Sequence, residues 1–360
     1  MEISVVIPVF NDALSLARCL QALKHSLLQP RECIVVDDGS TDNSPAIARQ
    51  AGASVVRAHR RMGPAAARNR GAAFAKGGLI VFIDSDVCVH PDTLGRIHAR
   101  FAGDTTLDAL IGSYDDEPDS PGLVSQYKNL LHHFMHQHSR KDASTFWTGC
   151  GAIRREVFLR IGGFDESYVR PCIEDIALGH RLRRAGYRIE LDTAVQVKHL
   201  KHWSVASWLH TDIWRRALPW TRLILRSSTL PDHLNVAVSE RIAGISVFSL
   251  VGIATALLVS GHWALALAPL AAAVPVSVNF YRFIANKRGW AFAAGVVPLH
   301  LAYYVYSCLA FATGVLLHFL KWRWVPEPAF QPAFRALEHH VATAASGHAR
   351  SRSKSPSPAG

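Results

Sequence analysis

The chain has 360 residues, enough for one catalytic domain of about 200 residues and a second region. Hydrophobic residues make up 49% of it, and the formal net charge is +11. The basic residues crowd beside hydrophobic segments without a zinc-finger or RNA-recognition signature, which argues against nucleic-acid binding and favours attraction to anionic lipid head groups. The six cysteines form no CxxC pair, and we expect them to be reduced, as in a cytoplasmic domain.

Short strands and helices alternate through the first part of the chain. The sequence predicts a first strand directly at the start, so we expect no signal peptide. Predicted strands cover residues 3–9, 33–36, 53–57 and 79–83, with helices between them. This pattern predicts an α/β fold with a doubly wound, mostly parallel sheet, which binds ligands at the carboxyl ends of its strands. Three strand ends carry carboxylates there: Asp12, Asp37 with Asp38, and Asp84 with Asp86.

Further along, the pattern changes from globular to aromatic and basic. An amphipathic helix is predicted over residues 122–140, a strand over Phe146–Ile153 and a helix over Glu174–Ala185. Trp208 and Trp214, with arginines beside the second, predict a helix that lies in the membrane interface; the alternative is a plain core helix.

Three hydrophobic segments follow: Ile242–Ser260, Trp263–Tyr281 and Ala291–Leu320, the last containing Pro298. We expect two or three transmembrane helices and a multi-pass protein of the cell membrane with a cytoplasmic catalytic domain. Three crossings would place the basic residues after the third segment outside, against the positive-inside rule, so either that segment does not fully cross or the charge bias is overridden. The predicted boundaries are 1–200 for the catalytic domain, 201–240 for interface helices, 241–322 for transmembrane helices and 323–360 for a partly disordered tail.

Four motifs stand in a characteristic order in the first domain. They are IPVFND at Ile7–Asp12, VVDDGSTDNS at Val35–Ser44, GPAAARNRG at Gly63–Gly71 and FIDSD at Phe82–Asp86. Together they resemble family 2 glycosyltransferases with the GT-A fold. The resemblance continues through Thr148–Glu166 and Ile173–Ile189 and covers roughly residues 2–200. It implies a domain that binds a nucleotide-diphosphate sugar, followed by membrane helices.

The Asp-Ser-Asp element predicts a metal site. A diphosphate leaves readily when a divalent cation neutralises its charge, and Mg²⁺ or Mn²⁺ needs hard oxygen ligands. Asp86 is the predicted metal ligand, and Asp84 the predicted contact to the ribose or to a metal-bound water; the alternative is a solvated turn. In many relatives a histidine after the last strand completes the metal or diphosphate site, which implies the same role for His199.

The resemblance also assigns the donor pocket. Asp38 matches the residue that hydrogen-bonds the nucleotide base, whereas we expect Asp37 to stabilise the turn. Arg68 matches a helix arginine near the nucleotide, where its guanidinium can pair with phosphate or base. Three positions of the first strand match residues that line the base pocket: Pro8, Phe10 and Asp12.

Glu174 and Asp175 match the family's acidic pair; the alternative is two carboxylates that favour a helix N-terminus. An acceptor hydroxyl needs a positioned base, and Asp175 is the predicted base, with Glu174 orienting or contacting the acceptor. Attack from the opposite face would invert the anomeric configuration. A polyprenyl phosphate needs no base, so the pair favours a hydroxyl on a lipid or lipid-linked glycan. A polyprenyl-phosphate sugar transferase and a non-catalytic sugar-nucleotide-binding subunit remain alternatives. Residues 212–216 lack the QxxRW element of processive synthases, so we expect single transfers.

Overall fold

The computed structural model describes residues 1–227, 234, 237–320 and 333–334. The strands are β1 (Ile3–Val9), β2 (Glu32–Asp37), β3 (Ser54–Arg57), β4 (Leu79–Ile83), β5 (Val87–Val89), β6 (Ala109–Tyr114), β7 (Cys150–Arg154) and β8 (Ile189–His199). They form one sheet in the order β3-β2-β1-β4-β7-β6-β8-β5. The first four strands in this order run parallel, β7 is antiparallel to both β4 and β6, and β6 pairs in parallel with β8. The doubly wound, mostly parallel sheet is therefore confirmed.

Helices cover both faces of the sheet. Those of the sheet domain are α1 (Ala13–Lys24), α2 (Ser44–Gln50), α3 (Pro64–Phe74), α4 (Thr93–Gly103), α5 (Leu123–Gln137), α6 (Arg155–Arg160) and α7 (Glu174–Arg184). Successive residues of β1 point to opposite faces, so Val5 packs with α1 and α4 whereas Val6 packs with α3, α6 and α7. Two apolar layers therefore fix the strand ends from which the site is built.

A second helical region follows the sheet domain. One continuous helical stretch consists of α8 (Val205–His210), a π-helix (Thr211–Ala217) and α9 (Leu218–Ser227). Then come α10 (Val238–Val259), α11 (Trp263–Ala273), a 3₁₀ turn (Val274–Ser277), α12 (Val278–Arg288) and α13 (Trp290–Phe319). Three stretches of the described chain are long and apolar enough to cross a membrane: Val238–Val259, Trp263–Arg288 and Trp290–Phe319.

A third apolar cluster joins these helices to the sheet domain. Tyr127 and Leu130 of α5 are buried in it together with Phe280 of α12 and Val296 of α13. The helix α5 therefore belongs to both halves: it packs on the sheet with one side and on the C-terminal apolar helices with the other.

Two sequence predictions differ from the structure in this region. The strand predicted at Phe146–Ile153 begins only at Cys150, because residues 146–149 turn around the Trp147 side chain; a Cβ on Gly149 would lie 2.3 Å from that indole ring. Trp208, predicted to face the membrane interface, is 1% exposed, whereas Trp214 is 51% exposed. The indole N–H of Trp208 donates to Asp212 and to Tyr306, so this tryptophan is a core residue.

Candidate active site

Polar side chains at the carboxyl ends of β1, β2 and β4 meet at one edge of the sheet. Ser85, between the two aspartates that follow β4, donates to Asp12 Oδ2 at 2.8 Å. The backbone N–H of Asn11 donates to Ser40 Oγ at 2.9 Å. These bonds fix the ends of three strands relative to one another, as expected where parallel strands finish together.

The two aspartates after β2 have different partners. Both carboxylate oxygens of Asp38 accept backbone N–H groups, from Met62 at 2.7 Å and Gly63 at 2.9 Å. Asp37 accepts from the N–H of Ser40 at 2.8 Å, the turn contact expected for this residue. Asp38 therefore holds the loop that leads into α3, and the base contact that the sequence predicted for it would be made by lone pairs that these amides leave free.

The first-strand residues lie beside this loop. Pro8 and Phe10 are half-buried at the end of β1, and the guanidinium carbon of Arg61 lies 3.8 Å above the Phe10 ring. An arginine stacked on an aromatic ring at a nucleotide pocket supplies a planar, positively charged surface. Arg61 belongs to no motif that the sequence singled out.

Arg68 connects the two acidic motifs of the domain. It is 4% exposed, and its Nη2 donates to Asp84 at 2.6 Å while Nη1 donates to Glu174 at 3.0 Å. Burial lowers the pKa of Arg68, but the charges of Asp84 and Glu174 outweigh burial, so the pKa lies above its ordinary value. The structure thus places this arginine at the site, with both terminal nitrogens on protein carboxylates; the phosphate contact predicted for it stays a prediction.

Glu174 and Asp175 open α7, yet their surroundings differ. Glu174 is buried, and its second oxygen accepts the N–H of Cys172 at 2.8 Å, so both oxygens are engaged. Asp175 is less buried, and its Oδ1 accepts the neighbouring N–H of Ile176. Burial and the nearby charge of Glu174 raise the pKa of Asp175 to about 7, although Arg68 and Arg216 act in the opposite direction. Such a carboxylate is a competent proton acceptor near neutral pH.

Asp86 and His199 come together at the end of β8. His199 Nε2 lies 3.7 Å from Asp86 Oδ2, and its ring stacks on Tyr114 at 4.1 Å. Burial raises the pKa of Asp86, but His199 and Lys201 outweigh it and lower that pKa to about 2. No group of three or more metal-ligating side chains occurs in the part of the chain that the structure describes. The pair fits an open cation site, because an ionised oxygen ligand and an imidazole nitrogen leave positions for a diphosphate and water.

Two further features of the site carried no recognisable sequence signal. Trp147 and Tyr114 pack edge to face at 4.8 Å, and His132 of α5 lies against both rings. Arg216 of the π-helix influences the pKa of Asp175, as stated above, and its own pKa is raised, because Asp212 and Asp175 outweigh the effect of burial. A π-helix rotates its side chains relative to an α-helix and is frequent at functional sites, and Arg216 lies in such a segment.

Comparison with known families agrees with this geometry. Residues 4–162 match the family described as glycosyl transferase family 2, and residues 128–203 match the N-terminal domain of galactosyltransferase. Residues 4–162 are therefore similar to family 2 glycosyltransferases. The second match covers β7, α7 and β8, which hold the acidic pair and His199.

Two curated relatives are 33% and 29% identical to the chain over the residues that align. A glycosyltransferase of Streptococcus pneumoniae is 33% identical over 125 residues, 33% of this chain and 41% of the relative. A validoxylamine A glucosyltransferase of Streptomyces hygroscopicus is 29% identical over 222 residues, 51% of this chain and 52% of the relative. The chain thus spans about half the length, or less, of these two relatives.

Among solved structures, one similar fold extends over nearly the whole chain. A mannosyltransferase of Pyrobaculum calidifontis, solved with GDP-Man and Mn²⁺, has a TM-score of 0.56 and 19% identity. The match covers 91% of this chain and 88% of that one. At this identity the likeness establishes the fold of the glycosyltransferase domain. The alignment also extends over the helices that follow this domain.

Proposed function

We propose that the chain is an inverting, metal-dependent glycosyltransferase that moves a sugar from a nucleotide-diphosphate sugar to a hydroxyl of a membrane-associated lipid or glycan. The observation that carries the proposal is the buried Arg68, which joins Asp84 of the donor side to Glu174 beside the proposed base Asp175. One side chain therefore fixes the distance between donor site and base, the geometric requirement for in-line attack.

The donor side is assigned from the sheet edge. Pro8, Phe10 and Asp12 would line the base pocket, with Asp38 at the base edge and Arg61 stacked over Phe10. A Mg²⁺ or Mn²⁺ ion held by Asp86 and His199 would neutralise the charge that develops on the departing diphosphate. The Mn²⁺ in the similar mannosyltransferase structure supports this choice of cation.

The acceptor side is assigned from α7. Asp175 takes the hydroxyl proton as the oxygen attacks the anomeric carbon, and its raised pKa suits that step. Glu174 positions Arg68 and the start of α7 with one hydrogen bond to each carboxylate oxygen, and the lone pairs left free would orient or contact the acceptor. The three helical stretches that are apolar enough to cross a membrane support a lipid-linked acceptor at this site.

The test is turnover of nucleotide sugars by the purified chain in lipid nanodiscs. A donor screen with Mn²⁺ or Mg²⁺ should identify one sugar nucleotide that stabilises the fold, since a bound ligand stabilises by RT ln(1 + [L]/Kd). Asp175→Asn should bind that donor and fail to transfer, whereas the surface variant Asp142→Asn should transfer normally. Absence of any metal-dependent donor binding would instead support the non-catalytic reading.

A polyprenyl-phosphate acceptor is the second candidate. The positive charge of Arg216 lowers the pKa of Asp175, and that of Arg215 lowers the pKa of Cys172, so both charges act at the start of α7 and would favour an anionic acceptor. The product decides between them: a sugar linked through a phosphate supports the second candidate, and a sugar linked to a hydroxyl supports the first.

A further inference from the structure

The helix α13 keeps contact with α5 of the sheet domain and then with the π-helix and α9 along most of its length. Near its start, Gly295 lies against Leu123 of α5, and His300 hydrogen-bonds Tyr127 of the same helix at 3.1 Å. Further on, the Tyr306 hydroxyl donates to Asp212 of the π-helix at 2.5 Å. These three contacts follow one another in order, so α13 runs along α5 and then along the π-helix.

The contact continues close to the end of the helix. A Cβ on Gly314 would lie 2.9 Å from the side chain of Thr221 in α9. From Gly295 to Gly314 the helix advances about 28 Å, close to the full thickness of the hydrocarbon core. A helix that crossed the bilayer would leave the sheet domain and the interface helices within a few turns.

The helix α9, which Gly314 contacts, also indicates how deep the end of α13 lies in the membrane. Thr221 stands directly before Arg222, and Arg226 follows in the same helix. Arginines at the bilayer centre are costly, and they are favoured at the level of the lipid head groups. Since Gly314 packs on this helix, the far end of α13 lies near the membrane surface as well. Its opposite face exposes Leu309, Leu316 and Phe319 for contact with acyl chains.

The chain before α13 returns to the same side. After α10 and α11, the end of α12 meets the catalytic domain, where Lys287 pairs with Asp116 and Arg288 donates to Gln126 at 2.9 Å. α10 therefore leads into the bilayer, and α11 with α12 leads back. An even number of crossings precedes α13.

The chain after α13 is also found at the catalytic domain. The N–H of Ala333 donates to Gly162 O at 3.1 Å, and Phe334 is 6% exposed with its ring 5.8 Å from that of Phe158. Twelve residues, KWRWVPEPAFQP, separate Leu320 from Ala333. They include three charged residues and are too few to cross a bilayer as a helix, and an extended strand in lipid would leave its backbone unpaired.

We propose that α13 lies in the plane of the membrane surface, and that the chain beyond it stays on the side of the catalytic domain, seated there by Phe334. The partner of α13 is a lipid surface. Acyl chains lie against its exposed face, and α5, the π-helix and α9 lie against the other. This topology places the basic residues after α13 on the cytoplasmic side if the catalytic domain is cytoplasmic, so the positive-inside rule and the segment count agree.

Epitope accessibility in oriented membrane vesicles tests the topology on the full chain. The same epitope is placed after Gly360, in the exposed turn at Gly52 of the catalytic domain, or in the turn at Gly261 between α10 and α11. We expect the first two to be reached from one face and the third only from the other. Access to the Gly360 epitope from the Gly261 face would overturn the proposal.

The packing of Phe334 on the catalytic domain is tested separately with a matched pair of aromatic substitutions. Phe334→Ala removes a buried ring that also contacts the Gly163 turn, whereas Phe319→Ala removes a ring that is 75% exposed at the end of α13. We expect Phe334→Ala to lower the melting temperature of the chain by several degrees and Phe319→Ala to leave it unchanged. Equal melting temperatures of the two variants would show that Phe334 does not hold the chain at the catalytic domain.

Discussion

Asp212 of the π-helix and Lys128 of α5 form an ion pair in which Lys128 Nζ lies 3.0 and 2.7 Å from the two carboxylate oxygens. Asp212 also accepts from Trp208 and Tyr306, so one buried carboxylate joins the sheet domain, the interface helices and α13. Arg216 follows four residues later in the same helical stretch and acts on Asp175. The position of the sheet domain relative to the C-terminal apolar helices therefore depends on this carboxylate.

Asp212→Asn should destabilise the chain and weaken transfer. The change leaves the buried Lys128 ammonium without its counter-charge, a loss of about 3 kcal/mol for a buried pair. Chemical unfolding in detergent measures this, with Asp142→Asn as control, because Asp142 pairs with Arg183 on the surface and should cost under about 1 kcal/mol. If both variants unfold alike, Asp212 is not a structural junction.

Arg68→Lys should disconnect the donor side from α7. A lysine ammonium reaches one carboxylate but cannot bridge Asp84 and Glu174 with a planar fork. We expect transfer to fall about 100-fold, since a small displacement of reacting groups has that effect. Arg70→Lys, two residues further along α3, is the matched control and should retain activity. Steady-state kinetics that are equal for the two variants would show that the bridge is dispensable.

The strand ends could be predicted from the sequence, because parallel strands place their carboxyl ends at one edge whatever the loops do. Asp12, Asp38, Asp84 and Asp86 accordingly lie at that edge. The partners of these residues could not be predicted in the same way. Arg68 meets Glu174 across 106 residues, after the chain has passed through the antiparallel strand β7, and no local pattern encodes that meeting.

The prediction for Trp208 was wrong for the same reason: its surroundings depend on residues that are distant in the sequence. Trp208 stands in an aromatic and basic stretch typical of a membrane interface, and sequence composition alone favours that reading. Its burial depends on two hydrogen-bond acceptors, Asp212 one turn away and Tyr306 98 residues away in α13.

Removal of divalent metal should abolish transfer, and Mn²⁺ or Mg²⁺ should restore it. His199→Asn should then need at least about ten times more metal for half-maximal activity, because one of two protein ligands is lost. His202→Asn is the matched control, since His202 is exposed three residues further along the chain. Metal titrations that coincide for the two variants would remove His199 from the metal site.

The rate of transfer should rise with pH through about 7 as Asp175 ionises, because only the carboxylate form accepts the hydroxyl proton. Asp175→Asn should lower kcat by about 10² to 10⁴ at pH 8 and lose this rising limb. The pH profile of kcat measures both effects. A variant that keeps the limb would assign it to another group and leave Asp175 without the role of base.

Stability should change in the opposite direction to activity at this residue. The pKa of Asp175 is raised in the folded state from 3.8 to about 7, so between these values the folded chain binds more protons than the unfolded chain. The contribution of Asp175 to the free energy of unfolding is therefore fully present below about pH 4 and is lost as the pH rises through 7. Asp175→Asn should melt at a higher temperature than the wild type at pH 8, and the difference should vanish toward pH 4. Thermal unfolding at the two pH values checks this, and a wild type that is as stable as the variant at pH 8 would show that the carboxylate pays no cost of burial.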